Sequence, residues 1–181
     1  GSDSKGDAKK EYYNAQPVDT GWEWGNVEIV DGGFIPDVIY NPTEEGLIYA
    51  RTDMGGAYKY NKDTQRWECI TDCFGGDDWN YNGTESLATA PVEPNRVYLA
   101  AGTYSTNNGA IFASDDYGKN WTICEMPFGM GGNEVGRGCG ERLQVDPNDN
   151  SILYFGSRAD GLWKSTDYGA TWNEVSSFPT K

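Results

Sequence analysis

Short apolar runs separated by polar turns recur three times along the chain, and no long stretch has a helical period. Each copy has a proline-containing turn, an apolar run, a second run that follows a glycine, and a final tryptophan. The prolines are Pro42, Pro94 and Pro147, and the tryptophans are Trp67, Trp121 and Trp172. A repeat of about fifty residues made of short strands and turns is typical of a β-propeller blade.

The pattern predicts an all-β fold in which each copy forms one blade of four antiparallel strands, A to D from the inside outward. The blades are expected at about 33–71, 85–125 and 141–176. The A–B and C–D turns of a blade lie on one face of the propeller, and the B–C and D–A loops lie on the opposite face. A closed ring needs at least about four blades, so residues 21–181 are expected to form part of a propeller.

The N-terminal region precedes the first copy. Residues 1–20 begin with Gly-Ser and a small, charged stretch, and they are expected to be a tag and flexible linker. Residues 22–30 alternate apolar and polar side chains, which predicts a strand. Because this strand lies before the first blade, it is expected to close the ring by completing the last blade.

Two of the C–D turns share the pattern Ser-x-Asp-x-Gly-x-x-Trp, known as the Asp-box. The matches begin at Ser114 and Ser165 and place Asp116 and Asp167 at the third position. In this turn the carboxylate can accept backbone N–H groups, and the glycine adopts a conformation that other residues avoid. Both aspartates are expected to be structural, because the active sites of propellers usually open on the opposite face.

Composition narrows the chemistry of the chain. Its 14 Lys and Arg against 28 Asp and Glu give a net charge of −14, which disfavours nucleic acid and anionic membranes as partners. The chain has no histidine, which excludes Ser-His-Asp and Cys-His catalysis. Its seven tryptophans and twelve tyrosines suffice for a core and a sugar-binding surface, since sugar C–H faces pack on aromatic rings.

No cofactor, metal or disulfide framework is expected. The acidic run at 146–149 could bind calcium, but turn chemistry explains it better. The four cysteines allow three full pairings, and free or buried thiols are favoured in a chain of this size. No apolar run approaches the length needed to span a membrane.

From about residue 24 to 179 the chain resembles glycoside hydrolase family 74, the xyloglucan-cleaving endoglucanases and oligoxyloglucan cellobiohydrolases. The motifs are Leu-Ile-Tyr-Ala-Arg-Thr-Asp-Met-Gly-Gly at 47–56, Asp-Asp-Trp-Asn at 77–80, Asn-Glu-Val-Gly-Arg-Gly-Cys-Gly-Glu-Arg at 133–142 and Gly-Leu-Trp-Lys-Ser-Thr-Asp at 161–167. The chain departs from the family at 30–34, where four glycines are usual, and at Cys139, where many members have Met.

The resemblance implies about three blades of a seven-bladed N-terminal propeller, which faces a second propeller across a glucan-binding cleft. It implies an inverting endo-β-1,4-glucanase that acts on xyloglucan or a related β-1,4-glucan outside the cell. The general base would be Asp53 of the Arg-Thr-Asp motif, and the general acid would come from beyond residue 181. The chain of 181 residues alone is therefore expected to be inactive until the missing blades and the second propeller complete the fold.

Arg51 is the first candidate partner of Asp53. Residues two apart point to the same side of a strand end, so an ion pair could keep Asp53 charged, as a general base must be. Without the family resemblance, a structural salt bridge between the two is the preferred interpretation. Arg51 is therefore counted among the candidate substrate-site residues.

Further candidates lie in the loops of the same face. Trp79 could stack on a glucosyl unit or plug the flank of the propeller. Asp77 and Asp78 could bind sugar hydroxyls or be merely solvated, and Tyr104 is a weaker candidate for sugar contact. Arg137, Glu141 and Arg142 are expected to brace the glycine-rich loop by ion pairing.

A different class of function is a non-catalytic glycan-binding or interaction propeller with Asp-boxes, as in sortilin-like receptors. The intact Arg-Thr-Asp motif disfavours it. A sialidase would need a cluster of arginines, whereas the arginines here are few and scattered in sequence. The sequence does not determine the position of cleavage or the choice between internal and chain-end attack.

Overall fold

A computed structural model describes residues 8–13, 37–52, 56–71, 83–102, 108–130 and 142–175. Within these ranges the chain forms thirteen strands, and no helix there is long and apolar enough to cross a membrane. The first sheet contains β2 (Asp37–Tyr40), β3 (Ile48–Arg51), β4 (Ala57–Asn61) and β5 (Arg66–Cys69). The second contains β6 (Thr84–Thr89), β7 (Val97–Ala101), β8 (Asn108–Ser114) and β9 (Asn120–Gly129). The third contains β10 (Leu143–Val145), β11 (Leu153–Gly156), β12 (Leu162–Ser165) and β13 (Asn173–Glu174).

Each sheet pairs its four strands in chain order, and every pairing is antiparallel. This confirms the prediction of an all-β fold with four-stranded blades. The expected ring-closing strand at 22–30 lies outside the described residues. The second sheet extends beyond the expected end near residue 125, because β9 continues to Gly129 and pairs there with Asn108 of β8.

The N-terminal region holds one strand where sequence analysis expects a flexible linker. β1 (Ala8–Tyr13) pairs antiparallel with β9, so the second sheet has five strands in the order β1-β9-β8-β7-β6. The outer edge of β9 presents unpaired backbone groups, which an extended segment can satisfy. The Tyr-Tyr pair at the end of β1 has high β-propensity, which favours a strand although the segment also contains charged residues.

The core consists of two apolar layers, one on each side of the second blade. Leu87, Leu99 and Phe112 pack toward the first blade. Tyr98, Ile111 and other residues of the opposite parity pack toward the third blade. Every residue of β6 and β7 is therefore buried, which explains why these strands do not alternate between apolar and charged side chains.

Polar side chains join neighbouring blades at both faces. On the Asp-box face, Nδ2 of Asn41 donates to Oγ1 of Thr89 at 2.8 Å, and Oδ1 of Asn150 accepts from the Val92 N–H at 3.0 Å. On the opposite face, Oγ of Ser86 accepts from the Arg142 N–H at 3.0 Å. These bonds and the shared core fix the three blades relative to one another.

Candidate functional site

The two Asp-box turns satisfy their carboxylates locally. Oγ of Ser114 donates to Oδ1 of Asp116 at 2.7 Å, and the Asn120 N–H donates to the same oxygen at 2.9 Å. Burial acts to raise the pKa of Asp116, but the hydrogen bonds from Asn120 and Ser114 outweigh it and lower the pKa. The carboxylate is thus held within its own turn.

The second Asp-box repeats this arrangement in the third blade. Oγ of Ser165 donates to Oδ1 of Asp167 at 2.8 Å, and the Thr171 N–H donates there at 2.9 Å. Burial again acts to raise the pKa of Asp167, and the bonds from Thr171 and Ser165 lower it overall. Because the same bonds occur in two blades, the Asp-box aspartates are interpreted as residues that stabilise the C–D turns.

The opposite end of the blades is called the rim face here. It is formed by the end of β3, the start of β6, the residue before β10 and the loop after β11. Its described residues include Arg51, Thr52, Thr84, Glu85, Arg142 and Arg158. The strand register brings these ends together, because in antiparallel blades the start of strand A lies opposite the end of strand B, as Asp37 lies opposite Arg51.

A tight closure fixes both ends of the first blade's B–C loop on the rim face. The N–H and the Oγ1 of Thr52 both donate to the Gly56 carbonyl oxygen, at 3.0 and 2.7 Å. Gly56 has a φ of +85°, and a Cβ at this position would lie 2.0 Å from Oγ1 of Thr71. Only glycine fits there, so the sequence Thr-x-x-x-Gly determines the shape of this closure.

The third blade repeats the closure with a different residue in the loop. The N–H and the Oγ of Ser157 both donate to the Gly161 carbonyl oxygen, at 3.0 and 2.7 Å. Arg158 follows Ser157 just as Asp53 follows Thr52, so Arg158 and Asp53 occupy equivalent positions of the repeat. The side chain of Arg158 reaches Glu85 at the start of the second blade's inner strand, where its Nη2 donates to Oε2 at 3.0 Å.

Glu85 is the centre of a buried charged cluster on the rim face. Its side chain is 2% exposed, and its Oε1 lies 3.0 Å from Nε of Arg142 and 2.9 Å from Nε of Arg158. Burial raises the pKa of the Glu85 carboxyl, and the positive charges of Arg158, Arg142 and Arg51 counteract this rise. Two arginines from the third blade therefore contact one carboxylate of the second blade, and the charge of Arg51 in the first blade also acts on it.

The predicted site residues are described only in part. Asp53, Asp77, Asp78, Trp79 and Tyr104 lie outside the described residues. Arg51 is fully buried at the end of β3. This burial favours a supporting role for Arg51 over direct contact with a substrate.

Sequence reasoning missed Glu85. Arg142 is expected to brace the glycine-rich loop by ion pairing, and its ion pair is with Glu85 of the second blade, where Arg158 also contacts the carboxylate. The available signal was a glutamate within Thr-Glu-Ser-Leu-Ala-Thr, a strand of small and apolar residues. A charged residue in such a strand is seldom buried without an ion partner.

Comparisons with known proteins agree with this architecture. The family model described as BNR-Asp box repeat matches residues 111–123. A xyloglucanase of Paenibacillus sp is 56% identical over 164 residues, which cover 87% of this chain and 16% of that protein. A xyloglucanase of Acetivibrio thermocellus is 53% identical over 164 residues, which cover 87% of this chain and 20% of that protein.

A solved structure supports the same relationship. The crystal structure of a family 74 xyloglucanase from Xanthomonas campestris matches with a TM-score of 0.80 and 47% identity, covering 81% of this chain and 21% of that one. The chain spans between about a sixth and a fifth of the length of these relatives. With its Asp-box blades and its Arg-Thr-Asp motif, the chain belongs to glycoside hydrolase family 74.

Proposed function

We propose that this chain contributes the general-base part of the active site of a secreted, inverting xyloglucan hydrolase. Asp53 is the base, and the general acid comes from a part of the enzyme outside these 181 residues. The carrying observation is the closure between Thr52 and Gly56 on the rim face, opposite the Asp-box turns, because Asp53 follows Thr52 directly in the sequence. The xyloglucanase relatives supply the substrate class.

The chemistry requires two carboxyl groups with different roles. Asp53, ionised, accepts a proton from a water whose oxygen attacks the anomeric carbon. The glycosidic C–O bond breaks as the general acid gives its proton to the leaving oxygen. In an inverting enzyme the two groups are about 6.5–9.5 Å apart, which leaves room for the water.

The charges of the chain suit a neutral polysaccharide. A net charge of −14 gives no attraction for an anionic ligand, and a xyloglucan backbone carries no charge to repel. We further propose Trp79 and Tyr104 as stacking contacts for glucosyl units, with Asp77 and Asp78 as acceptors for sugar hydroxyls.

The repeat supports the assignment of Asp53 over other carboxylates. Arg158, at the equivalent position in the third blade, sends its side chain to the inner strand of the neighbouring blade. The residue after the Thr or Ser of the Thr/Ser-x-x-x-Gly closure can thus direct its side chain toward the inner strands on the rim face, as Arg158 does. Asp116 and Asp167, in contrast, are engaged by their own turns on the other face.

The test is Asp53→Asn in a full-length enzyme that contains this segment, assayed by release of reducing ends from xyloglucan. We expect kcat to fall by about 10²- to 10⁴-fold, because a general base contributes a factor of this size, while KM changes little. Asp63→Asn, at an exposed turn of the same blade, is the matched control and should keep the wild-type rate.

Two outcomes would refute this assignment. Near-normal turnover of the Asp53→Asn enzyme would remove Asp53 from the mechanism. Release of reducing ends by the purified 181-residue chain would show that a second carboxylate is not needed from elsewhere.

A further inference from the structure

The Glu85 cluster has no part in the reaction proposed above. It consists of Glu85 from the second blade, Arg142 and Arg158 from the third blade, and Arg51 from the first. Oε2 of Glu85 accepts a hydrogen bond from Nη2 of Arg158, and Oε1 lies at ion-pair distance from Nε of both Arg142 and Arg158. A charged group buried to this degree is retained only with partners, and here the partners come from the two blades that flank its own.

The cluster is joined to the strand end that leads into Asp53. The Thr84 N–H, next to Glu85, donates to the Thr52 carbonyl oxygen at 3.3 Å. Arg51 and Thr52 are fully buried, and the charge of Arg51 acts on Glu85. The start of β6 therefore supports the first blade's closure through a backbone bond and through electrostatic attraction.

Ser86 extends the same support toward the third blade. Its Oγ accepts from the N–H groups of both Arg142 and Leu143, at 3.0 Å each. Three consecutive residues of β6 thus connect the rim ends of all three blades: Thr84 to the first, Glu85 to the arginines, and Ser86 to the third. This arrangement lies on the rim face, at the opposite end of the blades from the Asp-box turns.

We propose that Glu85 is a positioning residue for the general base, an inference that rests on the function proposed above. Its carboxylate holds Arg142 and Arg158 at the start of β6, and the bond from Thr84 to Thr52 passes this support to the residue that precedes Asp53. Glu85 acts through these residues and does not touch the substrate. Its loss displaces the base, so it lowers the rate of the chemical step and spares substrate binding.

The test compares Glu85→Gln, Glu85→Asp and Arg142→Gln in the full-length enzyme, with kcat and KM measured on xyloglucan well below the unfolding temperature. Glu85→Gln keeps the shape of the side chain and removes its charge. We expect kcat per folded molecule to fall by about 10- to 100-fold with KM nearly unchanged, since small displacements of catalytic groups have effects of this size. Glu85→Asp keeps the charge and should recover part of the lost rate.

Arg142→Gln provides an independent readout. Arg142 is 29% exposed on its side chain, so this variant is expected to fold. It removes a positive charge from the cluster, and since nearby positive charge favours an ionised carboxylate, the acid limb of kcat/KM should move to higher pH. Arg51 and Arg158 remain, and Glu85 is the anionic group of the cluster among the described residues.

Glu93→Gln is the matched control. Glu93 pairs with Arg96 at 3.5 Å on the Asp-box face of the same blade, and its loss should leave kcat, KM and the acid limb unchanged. A purely structural role for Glu85 predicts a lower unfolding temperature with normal kcat per folded molecule, and that result would overturn the proposal. If Glu85→Gln does not fold, normal kcat and an unshifted acid limb in Glu85→Asp and Arg142→Gln would overturn it equally.

These results also separate this inference from the proposed function. If Asp53→Asn is inactive but the Glu85 and Arg142 variants behave like wild type, only the positioning role fails. If Asp53→Asn retains turnover, the base assignment itself fails.

Discussion

The two ends of the blades hold their carboxylates in opposite ways. The carboxylates of Asp116 and Asp167 are satisfied by bonds within four residues of their own turns, and Asp116 is half-buried while Asp167 is exposed. Glu85 is almost completely buried and depends on arginines from the neighbouring blades. A locally satisfied carboxylate forms with its turn, whereas Glu85 finds its partners only after three blades have assembled.

This difference distinguishes the structural face of the blades from the face proposed to hold the active site. The Asp-box turns have the same bonds in two blades, so neither turn is marked as a unique functional position. The rim face is asymmetric, because equivalent positions hold Asp53 in one blade and Arg158 in another. Function is expected where the repeat is broken, since a catalytic group is needed once and a stabilising turn is useful in every blade.

Removal of the two kinds of carboxylate should have effects of different size. Glu85→Ala removes the buried anion from two half-buried arginines, Arg142 and Arg158, and should cost about 3–5 kcal/mol of unfolding free energy. Asp116→Ala removes hydrogen bonds at a partly exposed turn and should cost about 1 kcal/mol. Denaturant unfolding of the two variants measures both values. Equal losses of unfolding free energy in the two variants would contradict the distinction between a carboxylate bonded within its own turn and one that depends on arginines of another blade.

Glycines at the two faces should also differ. Gly56 and Gly118 have similar φ angles of +85° and +86°, so the backbone strain of an added Cβ is the same, about 1–2 kcal/mol. At Gly56 the Cβ would meet Oγ1 of Thr71 at 2.0 Å, and Thr71 accepts from the Ala57 N–H. At Gly118 the nearest atom is Cβ of Ile70 at 3.1 Å.

Gly56→Ala is therefore expected to cost about 1–3 kcal/mol more than Gly118→Ala, because its neighbour must shift and lose a bond. Thermal and denaturant unfolding of the paired variants would check this order. If Gly56→Ala cost less than Gly118→Ala, the closure between Thr52 and Gly56 would be deformable, and it would be less able to fix the position of the loop that contains Asp53.

The smallest expected effect is a difference in pH dependence. The pKa of Asp116 is lowered on folding, so its contribution to stability is present above about pH 4 and is lost as pH falls through the folded pKa. The pKa of Glu85 is raised, so its contribution is complete below about pH 4 and declines as pH rises through the folded pKa.

Unfolding measured between pH 3 and pH 7 should therefore show opposite trends. The cost of Asp116→Asn should shrink toward acid pH, and the cost of Glu85→Gln should shrink toward neutral pH. If the costs of the two substitutions changed with pH in the same direction, burial would not be the dominant influence on the pKa of Glu85. Asp63→Asn, at an exposed turn of the first blade, serves as the reference variant.

Much of the fold could be predicted from local pattern. The three copies of turn, apolar run and tryptophan predicted four-stranded blades, and the structure confirms them. The Asp-box bonds follow from residues within the turn, so the sequence spacing alone implied them. β1 was not predicted because its pairing partner β9 is more than a hundred residues away in the sequence, so the residues around β1 carry no pattern that indicates the pairing.

The candidate site could be predicted only as far as its motif. The Arg-Thr-Asp sequence and the Thr-x-x-x-Gly spacing determined which loop matters, since both are local features of the chain. Tertiary structure alone decided that Arg142 and Arg158 meet at Glu85, because this contact depends on how successive blades rotate and pack. Local hydrogen bonds are fixed by residue spacing, whereas buried ion pairs between blades are fixed by the shared core that brings distant residues together.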